Sequence, residues 1–459
     1  CFAHGLRRDG VDATLESLRR AGVYVTLEEF KGRSPIRRNG FEIAVNPRDF
    51  DNPLVDADYA SSTGGTTGPV TQIGVSLETL LAQAPPWAVA YDAFGVLGAP
   101  MALWRGALPD ASGMNILLRE GALFGHVPEK WFAPFLSRRR PLVSRMITEY
   151  IIAIGRSAGV RIPRPEVVEL DNAATVARWL AKAAASHGVC VLRANASMSL
   201  RTAVAARELG ISLNGVTMIG GGEPPTQSKL SQIKSSGARF VPTYTFTEGG
   251  CVGGGCAAPV AGDDVHLFSD LFALIQAPHP IPNSELTVPA FYFTNLTPTA
   301  RTVLLNAQIG DYGVFETRSC GCPLGDLGFT QHVREIRSFG LLVSEGMTLL
   351  VHDMSRLIDE VLPARFGGSP LDYQIVEEED ERGFTRLTLV VSPRVTLSDE
   401  QAVIEAVTNS VVGSARAIWP QAQTVRIRRG EPSATGRGKL IPLHLGQPGE
   451  RPHKNRSLR

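Results

Sequence analysis

Five short segments of this chain combine glycine with hydroxyl, carboxylate or lysine side chains in ways that suit phosphate and ribose chemistry. Ser61 to Pro69 reads Ser-Ser-Thr-Gly-Gly-Thr-Thr-Gly-Pro, three glycines and five hydroxyl residues in nine positions. Glycine leaves backbone N–H groups uncovered, so such a loop can wrap phosphate oxygens while the hydroxyls add donors. It lacks the Gly-Lys-Ser/Thr ending of a Walker loop, and the bland alternative is a Ser/Gly linker. Gly220-Gly221-Gly222-Glu223-Pro224 lets a flat ring or a phosphate approach the backbone, or simply makes a tight turn. Tyr244-Thr245-Phe246-Thr247-Glu248-Gly249-Gly250 sets a carboxylate beside a hydroxyl, which suits Mg²⁺ and its preference for hard oxygen ligands. In Gly310-Asp311-Tyr312-Gly313 the carboxylate can accept two ribose hydroxyl bonds or close its own turn. Lys439, in Thr435 to Leu440, is a point charge on a glycine-flexed loop that can reach a reacting phosphate or lie in a solvated tail.

The elements around these segments alternate. A helix capped by Asp171 or Asn172 runs through Trp179 to Ser186 and stops at Gly188. The strand at 189–192, a helix from Ser199 to Leu209, the strand at 215–219, a helix opened by Pro224 or Pro225 and ending at Ser236, and the strand from Arg239 to Tyr244 follow. That rhythm predicts a doubly wound, largely parallel sheet, in which ligands sit at the C-terminal ends of strands. The segments after Ile219 and Tyr244 lie at such ends. Before them the sequence predicts a helix from Asp12 to Ala21 and a short strand at 24–27. Strands at 272–276, 290–296 and 312–318 predict an antiparallel or barrel-like β-rich subdomain. Beyond residue 337 come a helix at 354–362, a hairpin turning at Asp380 to Gly383 with Glu377 to Glu381 as a solvated tip, a helix capped by Ser398 or Asp399, and a strand at 424–428. The fold class is therefore α/β: a large N-terminal α/β domain with a doubly wound sheet and a β-rich subdomain, then a small α+β C-terminal domain. The expected boundaries are 1–337, 338–446 and a flexible tail at 447–459.

Composition narrows the class. The 459 residues carry 46 basic and 45 acidic side chains, a net charge of +1, which argues against a dedicated nucleic-acid binder. No uncharged apolar run is long enough to span a membrane. Six cysteines in a chain this long do not form the disulfide framework of a small secreted domain. The chain starts at Cys1 with neither Met nor a signal peptide, and the expectation is a cytoplasmic protein whose N-terminus is incomplete here.

Taken in order, "STGGTTG", "GGGEPP", "YTFTEGG", "QIGDYG" and "TGRGK" resemble the motifs of the adenylate-forming superfamily, in its phenylacetate–coenzyme A ligase-like branch. The resemblance runs from about Gly22 to Leu440. It implies ATP, Mg²⁺ and coenzyme A as cofactors and a small carboxylic acid as substrate. An acyl carrier protein as alternative acceptor and a homodimer stay open. By the same resemblance Thr63, Gly65, Thr66, Thr67 and Gly68 hold the β- and γ-phosphates, and Gly221, Gly222 and Glu223 line the adenine site with backbone. Tyr244 flanks adenine, Thr247 meets the α-phosphate, Glu248 binds Mg²⁺ and Asp311 holds the ribose. Arg337 stands just before the hinge, with Arg334 as its neighbouring alternative, and Lys439 bridges carboxylate and α-phosphate. The sequence departs from the branch in two places: Pro69 stands where a lysine usually follows the phosphate loop, and Phe339-Gly340 stands where an acidic hinge pair is usual. Both departures bear on the transfer to a thiol and on a rival reading, a degenerate nucleotide binder without turnover.

A further constellation is Cys256, His266, Cys320 and Cys322, three thiolates and an imidazole that suit tetrahedral Zn²⁺. The branch implies a structural metal of this kind. Cys251 and Asp270 are competing donors, and buried thiols with an exposed His266 are the plain alternative. Trp87, Tyr91, Phe94 and Trp104 are candidates for an acyl pocket or for core.

Overall fold

The computed structural model describes residues 2–62, 72–108, 110–125, 127–134, 142–223, 225–280, 287–338, 341–344, 347–350, 357–410, 419–420, 422–432 and 443–445. Two hairpins lead in: β1 (Ile36–Arg38) with β2 (Phe41–Ile43), and β3 (Tyr59–Ser62) with β4 (Gln72–Val75). A sheet of twelve strands follows, made from β5 (Met101–Trp104), β6 (Lys130–Ala133), β7 (Pro165–Val167), β8 (Cys190–Arg193), β9 (Val216–Gly220), β10 (Arg239–Phe246), β11 (Gly250–Gly255), β12 (Val265–Leu267), β13 (Phe272–Pro280), β14 (Thr287–Asn295), β15 (Ala307–Thr317) and β16 (Gln331–Ser338). Its order is β13-β14-β15-β16-β12-β11-β10-β9-β8-β5-β6-β7.

The half from β10 to β7 is parallel throughout. β8 and β9 are buried at every position, which is why they are mostly apolar on both faces and do not alternate. Helices Ala173–His187, Ala196–Glu208 and Gln227–Lys234 supply the crossovers. Asn195 and Thr226 cap the second and third by accepting from Met198 and Lys229 N–H. Gly188, Gly210 and Gly237 follow the helix ends at positive φ, as their spacing predicts. The other half, β11 to β16, is antiparallel. It continues the parallel half across the β10–β11 hairpin, so the β-rich part is one edge of a single mixed sheet and not a separate barrel.

Beyond β17 (Leu341–Ser344) and β18 (Met347–Leu350) lies a four-stranded sheet of order β21-β20-β19-β22, from β19 (Tyr373–Glu379), β20 (Thr385–Val391), β21 (Val425–Arg429) and β22 (Leu443–Leu445). Helix Glu400–Ser410 packs beside it, its first turn held by Asp399, whose carboxylate accepts from Gln401 and Ala402 N–H. Tyr373, Ile375, Leu387 and Leu389 belong to the same buried cluster as Val176, Leu180 and Ala203 on one face of the large sheet. The other face is closed by Trp87, Tyr91, Met114 and Phe268.

Three local expectations change. Residues 24–27 do not form a strand; only Val25 bridges Ala307, because Thr26 and Glu29 build a capping box that starts a helix at Leu27. The expected helix at 354–362 begins outside the described residues and, from Leu357, passes through a wide π turn into helix Leu362–Phe366. Glu377 to Glu381 is a solvated tip only in part: Glu379 and Glu381 are exposed, whereas Glu377 and Glu378 are half-buried ladder residues of β19 and Asp380 accepts from Arg386 inside the turn.

Candidate functional site

The predicted segments at Gly220, Tyr244 and Asp311 all lie on the large sheet, and backbone geometry explains their glycines. A Cβ on Gly220 would come within 2.0 Å of Ala194 O, and one on Gly221 within 2.1 Å of Thr243 O. Both glycines therefore serve close strand packing. Gly222, exposed and at φ +83°, is the position that offers free backbone outward. Glu223 turns inward. Its carboxylate accepts from Ser197 N–H and Oγ, each at 2.7 Å, and from Lys229 Nζ at 3.0 Å. Only the backbone of Glu223 is left to face a ligand.

Tyr244, near the end of β10, is buried against Phe246 and Phe293. Its hydroxyl donates to Asp311 Oδ2 at 2.7 Å, and Ser338 Oγ donates to Asp311 Oδ1 at 2.5 Å. The β15–β16 ladder sets this up by pairing Asp311 with Ser338 and Tyr312 with Arg337. A bulge between Tyr312 and Val314 shifts the register by one residue. There a Cβ on Gly313 would meet Arg334 O at 2.7 Å, and Glu335 sits at φ +53°. Asp263 holds that strained turn by accepting from Glu335 and Ile336 N–H. Burial pushes the Asp311 carboxyl up to about 6, against the downward pull of the Ser338 and Tyr244 hydroxyls. Of the two candidate arginines, Arg334 is engaged by Glu316 and Glu335, whereas Arg337 lies next to Ser338 and near Asp263.

Thr247 is exposed in the turn between β10 and β11. Glu248, beside it, accepts from Lys31 Nζ at 2.5 Å. Lys31 follows the helix Leu27–Phe30, which the Val25–Ala307 bridge pins to β15. Buried Gln83 braces the same turn, donating to Gly249 O and accepting from Cys251 N–H. Neither Lys31 nor Gln83 is legible as a site residue, since each meets the turn from far away in the chain. Thr63, Gly65, Thr66, Thr67, Gly68 and Lys439 lie outside the described residues.

The proposed metal ligands do converge. His266 Nε2 lies 3.1 Å from Cys322 Sγ and 3.8 Å from Cys320 Sγ, and the two sulfurs are 3.3 Å apart. Cys256, His266, Cys320 and His332 place their donor atoms within 4.8 Å of one another. A tetrahedral Zn²⁺ with bonds of about 2.0–2.3 Å separates its ligand atoms by roughly 3.3–3.8 Å, so the donors fit a zinc ion. His266 is fully buried, not exposed, and burial pulls it down to about 4, so it is the neutral imidazole a metal requires. Burial pushes the Cys256 thiol up to about 12, so its proton would leave only to a cation. Cys251 bonds Tyr244 O and Gly253 O instead, and neither it nor Asp270 belongs to this group. His332 escapes sequence reasoning because its partner is set by strand pairing: it stands opposite His266 across β12 and β16.

The aromatic candidates do not line one pocket. Trp87 and Tyr91 close one face of the sheet, whereas Trp104 is buried on the other and donates to Val168 O. No helix among the described residues is long and apolar enough to cross a membrane.

This fold is shared with a solved CoA ligase. A solved 2-hydroxyisobutyryl-CoA ligase in complex with 2-HIB-AMP and CoA is similar at 14% identity, with a TM-score of 0.50 over 92% of this chain and 80% of that one. The amide bond synthetase McbA K483A mutant from Marinactinospora thermotolerans is similar at 12% identity, with a TM-score of 0.48 over 93% and 76%. PA1221, a protein with nonribosomal peptide synthetase adenylation and carrier (PCP) domains, is similar at 13% identity, with a TM-score of 0.43 over 86% and 70%. No family model matches the chain, and no curated protein matches it.

Proposed function

We propose that the chain is an ATP-dependent ligase that activates a small carboxylic acid. The acid's oxygen attacks the α-phosphorus of ATP, pyrophosphate leaves, and an acyl-adenylate forms. A thiol then attacks the mixed anhydride and releases AMP; coenzyme A is the acceptor the motifs favour. The observation that carries this reading is Asp311, a carboxylate fixed by Tyr244 and Ser338 on the strand beside the β10 end, where a ribose diol can be accepted. Gly222 and the turn at Thr247 offer exposed backbone and a hydroxyl at neighbouring strand ends, the usual place for ligands in such sheets.

In this reading Thr63, Gly65, Thr66, Thr67 and Gly68 hold the outer phosphates, and Gly221 to Glu223 and Tyr244 border adenine. Thr247 meets the α-phosphate, Arg337 stands at the hinge, and Lys439 neutralises the reacting oxygens. Glu248 would hold Mg²⁺, which spreads charge on the phosphates when bound. Lys31 then gives up its bond to Glu248 and is free to meet a phosphate oxygen. Residues 338–446 act as the mobile part that delivers and withdraws Lys439. Cys256, His266, Cys320 and Cys322 hold a structural zinc ion. An acyl carrier protein is the alternative acceptor.

The test is pyrophosphate exchange across a panel of aryl and aliphatic acids, each with and without coenzyme A. Acid-dependent exchange supports activation, and AMP release that needs coenzyme A supports the thiol step. Exchange with no acid at all, or none above background, overturns the proposal. Lys439→Ala should abolish exchange while thiolysis of supplied adenylate survives.

A further inference from the structure

The thiol-rich cluster contains one donor more than the sequence motif supplies. His332 is fully buried on β16, its ring centroid 4.2 Å from that of His266. Its Nδ1 lies 2.9 Å from Asp264 Oδ1. Asp264 also accepts from Val260 N–H and forms an ion pair with Arg318, so it is a carboxylate surrounded by donors. An ionised carboxylate can only accept, so the proton sits on Nδ1 and Nε2 presents a bare lone pair. That Nε2 is buried and has no hydrogen-bond partner among the described residues.

His266 is set the same way. Its Nδ1 donates to Phe329 O at 2.6 Å and its Nε2 lone pair faces the sulfurs. Two imidazoles thus turn lone pairs toward one point, each fixed through its far nitrogen by an acceptor. This is how metal-bound histidines are oriented, with a carboxylate or a carbonyl behind them. An unpaired buried acceptor is destabilising, and a cation at that point removes the cost. Asp264 is itself braced by Arg318 and by Val260 N–H, so the ring cannot easily turn away.

We propose that His332 Nε2 is a direct ligand of the metal in this cluster and that Asp264 is the positioning residue that holds its tautomer. Cys256, His266, Cys320 and His332 then make a four-donor set with Cys322 Sγ beside it, and Asp264 supplies a negative charge one bond behind. The inference rests on the metal part of the proposed function and is independent of the acid-activation part.

Cobalt(II) is the probe, loaded into the full-length chain in place of zinc. His332→Cys puts a sulfur where the nitrogen was. A direct ligand then raises the thiolate-to-cobalt absorption by about 1.3- to 1.5-fold, one sulfur added to two or three. His332→Ala should weaken zinc binding by at least about 10-fold, and Asp264→Asn by about 10- to 100-fold, both read by competition with a chromophoric chelator. Unchanged absorption in His332→Cys together with unchanged zinc affinity in His332→Ala would place His332 outside the shell and overturn the inference. A wild-type chain that takes up neither cobalt nor zinc overturns both the inference and the structural-zinc proposal, while pyrophosphate exchange still reports on acid activation.

Discussion

The Tyr244 hydroxyl and the Asp311 carboxylate, 67 residues apart in sequence, meet at 2.7 Å across the large sheet. The contact ties the β10 end to β15 and leaves the half-buried Asp311 with hydroxyl partners and no cation among the described residues. Its carboxyl is raised to about 6, mainly by that burial. A raised carboxyl favours folding below its unfolded value, near 4, and this contribution is lost as pH climbs through 6. Asp311→Asn removes the penalty. The variant should match wild type in thermal unfolding at pH 4.5 and exceed it at pH 8, by an amount on the order of 1–2 kcal/mol. It should also bind ATP at least about 10-fold more weakly, since an amide accepts from a ribose diol less well. Equal unfolding differences at both pH values would contradict the titration.

Glu248 and Lys31 form a half-exposed pair, with side chains 12% and 33% accessible. Such pairs contribute about 0–1 kcal/mol. Glu248→Gln should therefore leave the melting temperature within a few degrees of wild type. Acid-dependent pyrophosphate exchange should fall by about 100-fold, with excess Mg²⁺ unable to restore it. Full exchange in Glu248→Gln would remove the carboxylate from the metal's ligand set.

Lys229 is different in kind. Its ammonium is 1% exposed and bonds both Glu223 and, across to the C-terminal sheet, Thr385 Oγ1. Lys229→Met strands the Glu223 charge and should cost about 3–5 kcal/mol. Glu223→Gln added to it should recover more than half of that loss, which a thermal double-mutant cycle would read.

The glycine run makes a contrast within two adjacent residues. Gly221→Ala drives a methyl into Thr243 O and should destabilise by about 2–3 kcal/mol. Gly222→Ala strains φ, at a cost of about 1–2 kcal/mol. Equal effects on denaturant midpoint would mean that the backbone at Gly221 shifts freely.

The parallel half of the sheet is legible in the sequence because each of its signals is local. Apolar runs such as Cys190 to Leu192 are bounded by glycines at helix ends, and crossovers fall at the expected lengths. Asp311, Tyr244 and Glu248 are legible as candidates for the same reason, since each sits in a short glycine-punctuated segment. Their partners are not. Ser338, Lys31 and Gln83 reach the site through strand register, a capping box and a buried amide, and none of these leaves a spacing to read. Glu223 shows the converse. Its motif is visible, but its carboxylate is committed to Ser197 and Lys229, contacts that depend on where the next helix packs. The expectation of a solvated tip at Glu377 to Glu381 fails in part for a related reason. Glu377 lies close to Lys229, Glu223 and Arg337, and burial pushes it up to about 7, so this one end of the run faces another part of the molecule while Glu379 and Glu381 stay exposed.

β16 carries His332 near one end and Ser338 at the other, six residues or about 20 Å along one strand. Between them sits the bulge at Gly313 and Glu335, which decides the face on which each later side chain emerges. One residue inserted there would leave the thiol cluster and the Tyr244–Asp311 contact each sound in itself, yet turn Ser338 to the wrong side of the sheet. The bulge thus acts as an index mark that keeps two distant centres in phase along a common rail.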